Sequence, residues 1–203
     1  MKITYINRAT GNTENENPPS EGLLKFLYEN PLGRNTLLSL VTKKFISDWY
    51  GRKMDSPAST KKIKPFIEEL QINMKDYRKR AEEYPSFNEF FYRELKPGAR
   101  KLGNGLISPG DGKILAFENL EAVSHFFIKG GKFTLDRFLA DNAMAEKYRN
   151  ASMIILRLAP RDYHRYHFPY KGIASASSKI RGVYYSVSPY ALVRNFARVF
   201  CEN

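Results

Sequence analysis

One cysteine, Cys201, stands in a chain of 203 residues. A single thiol excludes an intrachain disulfide framework and fits a reducing compartment. Histidine is nearly as scarce, with three, so a structural zinc site wanting three or four nitrogen and sulfur ligands has little to draw on, and no metal is expected. Long apolar runs are missing too. The longest, around Met153 to Leu158, falls far short of the roughly 18 residues of a membrane-spanning helix, and the opening MKITYINRAT is polar rather than signal-like. There is no internal repeat or low-complexity tract. Acid is in deficit: 21 Asp and Glu face 33 Lys and Arg, for a formal charge of +12.

What is present supports a folded chain. Hydrophobic residues make up 42% and aromatics 14%, enough core for one domain of ordinary size plus an appendage. The excess of base, with a pI near 9.7, attracts nucleic acid and anionic lipid alike. It is concentrated in two places. Residues 171–201 carry Lys171, Lys179, Arg181, Arg194 and Arg198 with no acid, and residues 43–64 carry seven Lys and Arg against Asp48 and Asp55. A solvated basic face is the plain alternative.

Residues 1–20 are polar, and Asn-Thr-Glu-Asn-Glu-Asn-Pro-Pro at 12–19 predicts an extended or mobile start. From Asn35, Leu37, Val41, Phe45 and Trp49 recur every four residues, with Leu38 and Ile46 widening the stripe and Gly51 placed for a C-terminal cap. Such a helix, with Lys43 and Lys44 beside its apolar face, suits a membrane interface as well as it suits packing on the domain. A second helix is expected from about Lys62 to Gln71, with Ser59 or Thr60 near its cap and Pro65 in its first turn. A third begins at the capping-box pattern Ser86-Phe87-Asn88-Glu89 and ends near Leu95. Beyond it, 113–117, 125–128, 152–158 and 182–187 read as strands, broken by a helix near 135–141.

The chemistry-bearing stretch is LAPRDYHRYHFP, 158–169, in which His164 and His167 sit among aromatics, Asp162 and two arginines. Imidazole titrates near neutrality, so the pair proposes proton transfer. Spacing alone does not settle the matter: two core histidines satisfied by carbonyls or two idle surface residues are the commoner readings of such a pair, and zinc ligation a rarer one. The second stretch, SPGDGKI at 108–114, holds Asp111 between two glycines that permit close approach and unusual dihedrals. Alone it reads as an ordinary turn into a strand.

Together, and in this order, the two stretches resemble the phosphatidylserine decarboxylases, self-processing pyruvoyl enzymes that make phosphatidylethanolamine. FNEFFYRELKPGARK at 87–101, FIKGGKFTLDRFL at 127–139, GVYYSVSPYAL at 182–192 and the closing RVFCEN agree in order and spacing. The resemblance implies that Asp111 and His167 are two members of an Asp-His-Ser relay for autoproteolysis, and that His164 acts in decarboxylation. The third member is a serine in a Gly-Ser motif that becomes the pyruvoyl cofactor. None of the thirteen glycines here is followed by serine, so the expectation is a front portion of a proenzyme, inactive by itself, completed by a pyruvoyl-bearing C-terminal α chain.

The same resemblance implies a carboxy-lyase acting on phosphatidylserine, a partner surface of anionic phospholipid rather than nucleic acid, and a peripheral location on the cytoplasmic face of the cell membrane. It leaves room for a homodimer. The fold expected is α+β: a helical, membrane-facing region over 1–104, then a β-rich catalytic domain over 105–203 whose last strands lie beyond Asn203. A catalytically dead membrane-binding relative is the alternative function, and a basic nucleic-acid-binding module a weaker one, lacking any nucleic-acid motif.

Overall fold

The computed structural model describes residues 4–16, 18, 20–120, 134–177, 179, 182–192 and 199. They form two compact units. One draws on Met1–Ile46, Lys113–Arg157 and Ser178–Asn203; the other is Ser47–Gly112 with Leu158–Ser177. The described elements mix helices with two small antiparallel sheets, an α+β arrangement.

The first unit opens on a hairpin, so the extended start that its composition allows is two strands folded back on each other. Strands β1 (Thr4–Ile6) and β2 (Thr13–Asn15) pair with Tyr5 opposite Glu14. Polar residues suffice because side chains close the loop: Asn7 Nδ2 donates to Glu14 Oε1 at 2.6 Å, and Gly11, at φ 71°, turns its N–H onto Asn7 O at 2.7 Å. Helix α1 (Glu21–Glu29) buries Leu27 and Tyr28 against Leu38, Tyr190 and Ala191. The π turn Gly33–Leu37 follows. A Cβ on Gly33 would collide with Phe26 O, so only glycine allows that approach.

The helix expected from Asn35 to Gly51 is two helices. Helix α2 (Leu38–Val41) stops where Thr42 Oγ1 donates back to Leu38 O at 2.9 Å, and α3 (Lys44–Asp55) runs straight through Gly51. Gly51 is therefore interior rather than a cap. Its carbonyl accepts Asn88 Nδ2 at 3.2 Å, the same amide reaches Asp55 Oδ1 at 2.7 Å, and the stop is set by Ser56-Pro57, since proline disfavours a helical residue before it. Much of the apolar stripe is exposed: Phe45 at 61%, Trp49 at 58% and Leu37 at 42%.

In the second unit, α4 (Ile63–Leu70) and α5 (Phe87–Phe91) hold an aromatic core of Ile63, Ile72, Tyr77, Tyr84 and Phe90. Phe66 meets Phe87 edge to face at 5.1 Å, and Tyr84 meets Phe90 likewise at 5.5 Å. Ser86 caps α5 through Glu89 N at 3.2 Å, as the sequence pattern predicts, but α5 ends at Phe91 rather than near Leu95. The chain then pairs back on itself: Lys96 N donates to Asp76 O and Arg78 N to Glu94 O, both at 2.8 Å. Ser59, expected near a helix cap, is buried within the 3-10 turn Pro57–Lys62, where its hydroxyl accepts Phe87 N at 2.8 Å.

Strands β3 (Lys113–Phe117) and β4 (Met153–Arg157) form the other antiparallel pair, in the first unit, with Leu115 opposite Ile155. Two short helices, Leu135–Leu139 and Asn142–Lys147, precede β4. The strand expected at 125–128 lies outside the described residues. The one expected at 182–187 is irregular backbone, because its donors are taken elsewhere: Tyr184 N by Thr42 O at 3.1 Å, Ser186 N by the Tyr28 hydroxyl at 3.0 Å. Beyond Gly105 the described residues thus carry two strands, fewer than a β-rich reading supposes.

Candidate active site

All three candidate residues, Asp111, His164 and His167, belong to the second unit. Two backbone hydrogen bonds lay one motif along the other: His167 N donates to Pro109 O and Ile107 N to Pro169 O, both at 2.9 Å. The turn carrying Asp111 is closed by the Ser108 hydroxyl on Gly110 O at 2.6 Å. Among the described residues positive φ occurs at Gly11, Gly98 and Gly105 and at Ser20, Gln71 and Ala140, and not in this turn, so the two glycines flanking Asp111 serve here without the unusual dihedrals expected of them.

The Asp111 carboxylate is gripped by Arg100. Nη2 and Nε approach Oδ2 at 2.7 and 2.9 Å, while Oδ1 receives a longer contact at 3.3 Å. Arg100 also donates through Nη1 to Asp76 Oδ2 at 2.9 Å, and the hydrogen bonds to Asp111 hold its own pKa above the ordinary value. A carboxylate accepts at about four lone-pair sites, so Oδ1 keeps capacity for a further donor. Among the described residues that donor is not the His167 ring: the ring is exposed, and what the structure joins is its backbone to Pro109.

His164 is placed differently. Its ring stacks on Phe91 with centroids 4.0 Å apart and planes 25° from parallel, and it is half-buried. Burial, ahead of the neighbouring Arg93, lowers its pKa, partly opposed by the Ala159 carbonyl and by Asp162. Nε2 lies 3.1 Å from Ala159 O; a carbonyl only accepts, so Nε2 carries the proton and Nδ1 is the basic nitrogen of the neutral ring. The loop beneath is locked by Asp162, whose Oδ2 accepts Ala159 N at 2.7 Å and whose N–H returns to Ala159 O at 2.8 Å. Tyr163 packs into the aromatic core.

This combination can do acid-base work: a neutral imidazole of fixed tautomer, a second imidazole in solvent, and a carboxylate clamped beside that second imidazole's backbone. Three participants were not singled out as site residues from sequence. Arg100, Phe91 and the buried Arg93 all lie in the 87–101 stretch. The available signal was cations set among aromatics, a pattern that does not say which anion or ring each will meet.

A model of the phosphatidylserine decarboxylase family matches residues 87–203, more than half of the chain. The chain belongs to that family. Phosphatidylserine decarboxylase proenzymes align along its whole length. That of Fusobacterium nucleatum is 54% identical over 205 residues, covering 100% of this chain and 68% of that protein. Those of Desulfitobacterium hafniense strain Y51 and Clostridium novyi are each 40% identical over 204 residues, covering 99% of this chain and 68% and 69% of theirs. The family is one of decarboxylating lyases. Among the described residues of this member, no helix is long and apolar enough to cross a membrane.

Proposed function

We propose that the complete protein converts phosphatidylserine to phosphatidylethanolamine and carbon dioxide, after cleaving itself to generate a pyruvoyl group. The observation that carries the assignment of residues is the His167 N to Pro109 O hydrogen bond at 2.9 Å, which sets His167 two residues in register from Asp111. In this reading His167 takes the proton of the serine hydroxyl during cleavage, and Asp111 holds its tautomer through Oδ1, the oxygen that Arg100 contacts less closely.

The pyruvoyl group supplies an electron sink when carbon dioxide leaves. The residues present fit such a group in one respect: burial lowers the His164 pKa and the Phe91 face fixes the ring, so that its basic Nδ1 can take up a proton and then pass it to the substrate carbon. The serine that becomes the group lies in a C-terminal α chain, so the 203 residues alone are inactive. Residues 105–203 contribute to the catalytic domain and 1–104 face the membrane. The exposed Phe45 and Trp49, with Lys43 and Lys44 adjacent, support contact with anionic phospholipid, and a peripheral, cytoplasmic-face location follows from that contact.

The test is the complete proenzyme expressed with His167→Ala or Asp111→Ala. Both are expected to accumulate as uncut precursor on a denaturing gel, and release of labelled carbon dioxide from carboxyl-labelled phosphatidylserine is expected to be lost with cleavage. Normal processing in both variants would overturn the relay.

A further inference from the structure

A cavity of about 390 Å³ opens in the second unit, beside the loop that carries His164. Four cations line it, Arg78, Lys79, Arg93 and Arg165, against two carboxylates, Glu89 and Glu94, a surplus of two positive charges. Both carboxylates are already engaged. Glu94 is bound by Arg78 at 2.7 Å and Arg165 at 3.1 Å, and Glu89 accepts the Tyr92 hydroxyl.

Arg93 is the unusual member. It is 1% exposed, and a buried guanidinium is costly unless it is paired. Its contacts are the carbonyls of Arg161 at 2.8 Å, Asp162 at 3.1 Å and Phe91 at 3.4 Å and the rings of Tyr77 and Phe90 at 4.5 and 5.1 Å. No carboxylate among the described residues pairs with it, and its Nε has no hydrogen-bond partner. The hydroxyl of Tyr84, another wall of the cavity, is likewise buried and unpartnered. Burial raises the Tyr84 pKa, so the hydroxyl stays protonated and can donate. Lys79 sits over the Tyr84 ring at 5.6 Å.

Unsatisfied donors on a surplus of positive charge call for an anion rich in acceptor oxygens. A tetrahedral phosphate supplies several acceptor oxygens on one centre, with one charge as a diester headgroup and between one and two as a free ion, where a carboxylate supplies two acceptors in one plane and one charge. The volume lies within the usual range for organic ligands, about 300–1,000 Å³, so the phosphate has room to carry a substituent. We propose that this cavity is a phosphate-binding site, with Arg93 and Lys79 supplying charge and Tyr84 a neutral donor. The phosphate is that of a phospholipid headgroup or of a free soluble phosphate. The inference does not rest on the catalytic roles of the histidines, because binding is read without turnover.

The experiment is calorimetric titration of the 203-residue chain with inorganic phosphate at low ionic strength. Saturable binding is expected, weakened about tenfold by Lys79→Gln, the scale of one charge-assisted hydrogen bond. Tyr84→Phe should weaken it several-fold, and Arg93→Met should abolish it. Lys79 and Tyr84 test the site without disturbing the buried guanidinium, and Lys64→Gln, elsewhere on the surface of the same unit, is the control expected to leave binding unchanged. Displacement of phosphate by glycerophosphoserine assigns the site to a lipid headgroup; retention of phosphate assigns it to a soluble phosphate. No saturable binding, binding indifferent to Lys79→Gln and Tyr84→Phe, or equal weakening by Lys64→Gln would overturn the proposal.

Discussion

The two histidines of one short segment sit in different surroundings. His164 is stacked and half-buried, and its pKa is lowered chiefly by desolvation. The unfolded chain therefore binds a proton at this position more readily than the folded one, so the contribution of His164 to stability is present above the ordinary histidine pKa of about 6.5. It is lost as pH falls through that value toward the folded one. Urea titrations at pH 7 and pH 5 are expected to show a drop in midpoint that shrinks in His164→Gln; an identical drop would place His164 in solvent. In the complete proenzyme, His164→Ala is expected to leave processed chains visible while lowering turnover about 10²–10⁴-fold, the usual weight of a general acid or base. Near-normal turnover in a processed variant would return His164 to a packing role. Arg100 tests the other half of the site. Arg100→Met removes the fork on Asp111 and Asp76 and is expected to slow processing, with Arg100→Lys restoring little, because an ammonium cannot reproduce the two-pronged grip. Processing time courses on gels decide it.

At the scale of elements, the exposed stripe of α2 and α3 and the crowded Gly33 turn make opposite predictions. Trp49 is the sole tryptophan and 58% exposed, so its fluorescence reports directly on α3. Vesicles containing phosphatidylserine are expected to shift that emission to the blue, and Phe45→Ser to weaken the shift while changing stability by no more than about 0.5 kcal/mol, as exposed substitutions do. No shift would mean that the stripe serves another contact. Gly33→Ala drives a methyl into the Phe26 carbonyl and should destabilise the first unit by about 1–3 kcal/mol in urea unfolding, the usual cost of overpacking.

For the molecule as a whole, the formal charge of +12 makes vesicle binding an electrostatic matter. Raising salt shortens the screening length from about 10 Å at 0.1 M to about 3 Å at 1 M, so binding to anionic vesicles is expected to fall steeply in sedimentation assays and binding to neutral ones to stay weak at any salt. Carbon dioxide release is expected from the complete proenzyme and not from the 203-residue chain alone. Release by the purified chain would show that the electron sink needs no serine beyond these residues.

Much of the chemistry is legible in the sequence because it is local. Asp111, His164 and His167 are titratable groups inside two continuous motifs, and a capping serine such as Ser86 finds its partner three residues on. The α+β class and the strands 113–117 and 153–157 are readable for the same reason, since period and propensity act over a few residues. Gly51 is not, because a glycine after an apolar stripe resembles a cap until Asn88, 37 residues away, is seen to hold its carbonyl. The segment 182–187 fails similarly: its β-branched and aromatic residues suit a strand, but Tyr28, a residue 158 positions before Ser186, takes the hydrogen bond a ladder would have used. Only the tertiary structure decided that Arg100 grips Asp111, that Phe91 stacks on His164, and that Arg93 is buried against carbonyls 68 and 69 residues later. A charge or ring in a sequence states what it can bind; which partner it meets is set by where the chain returns, and burial then sets how strongly the two interact.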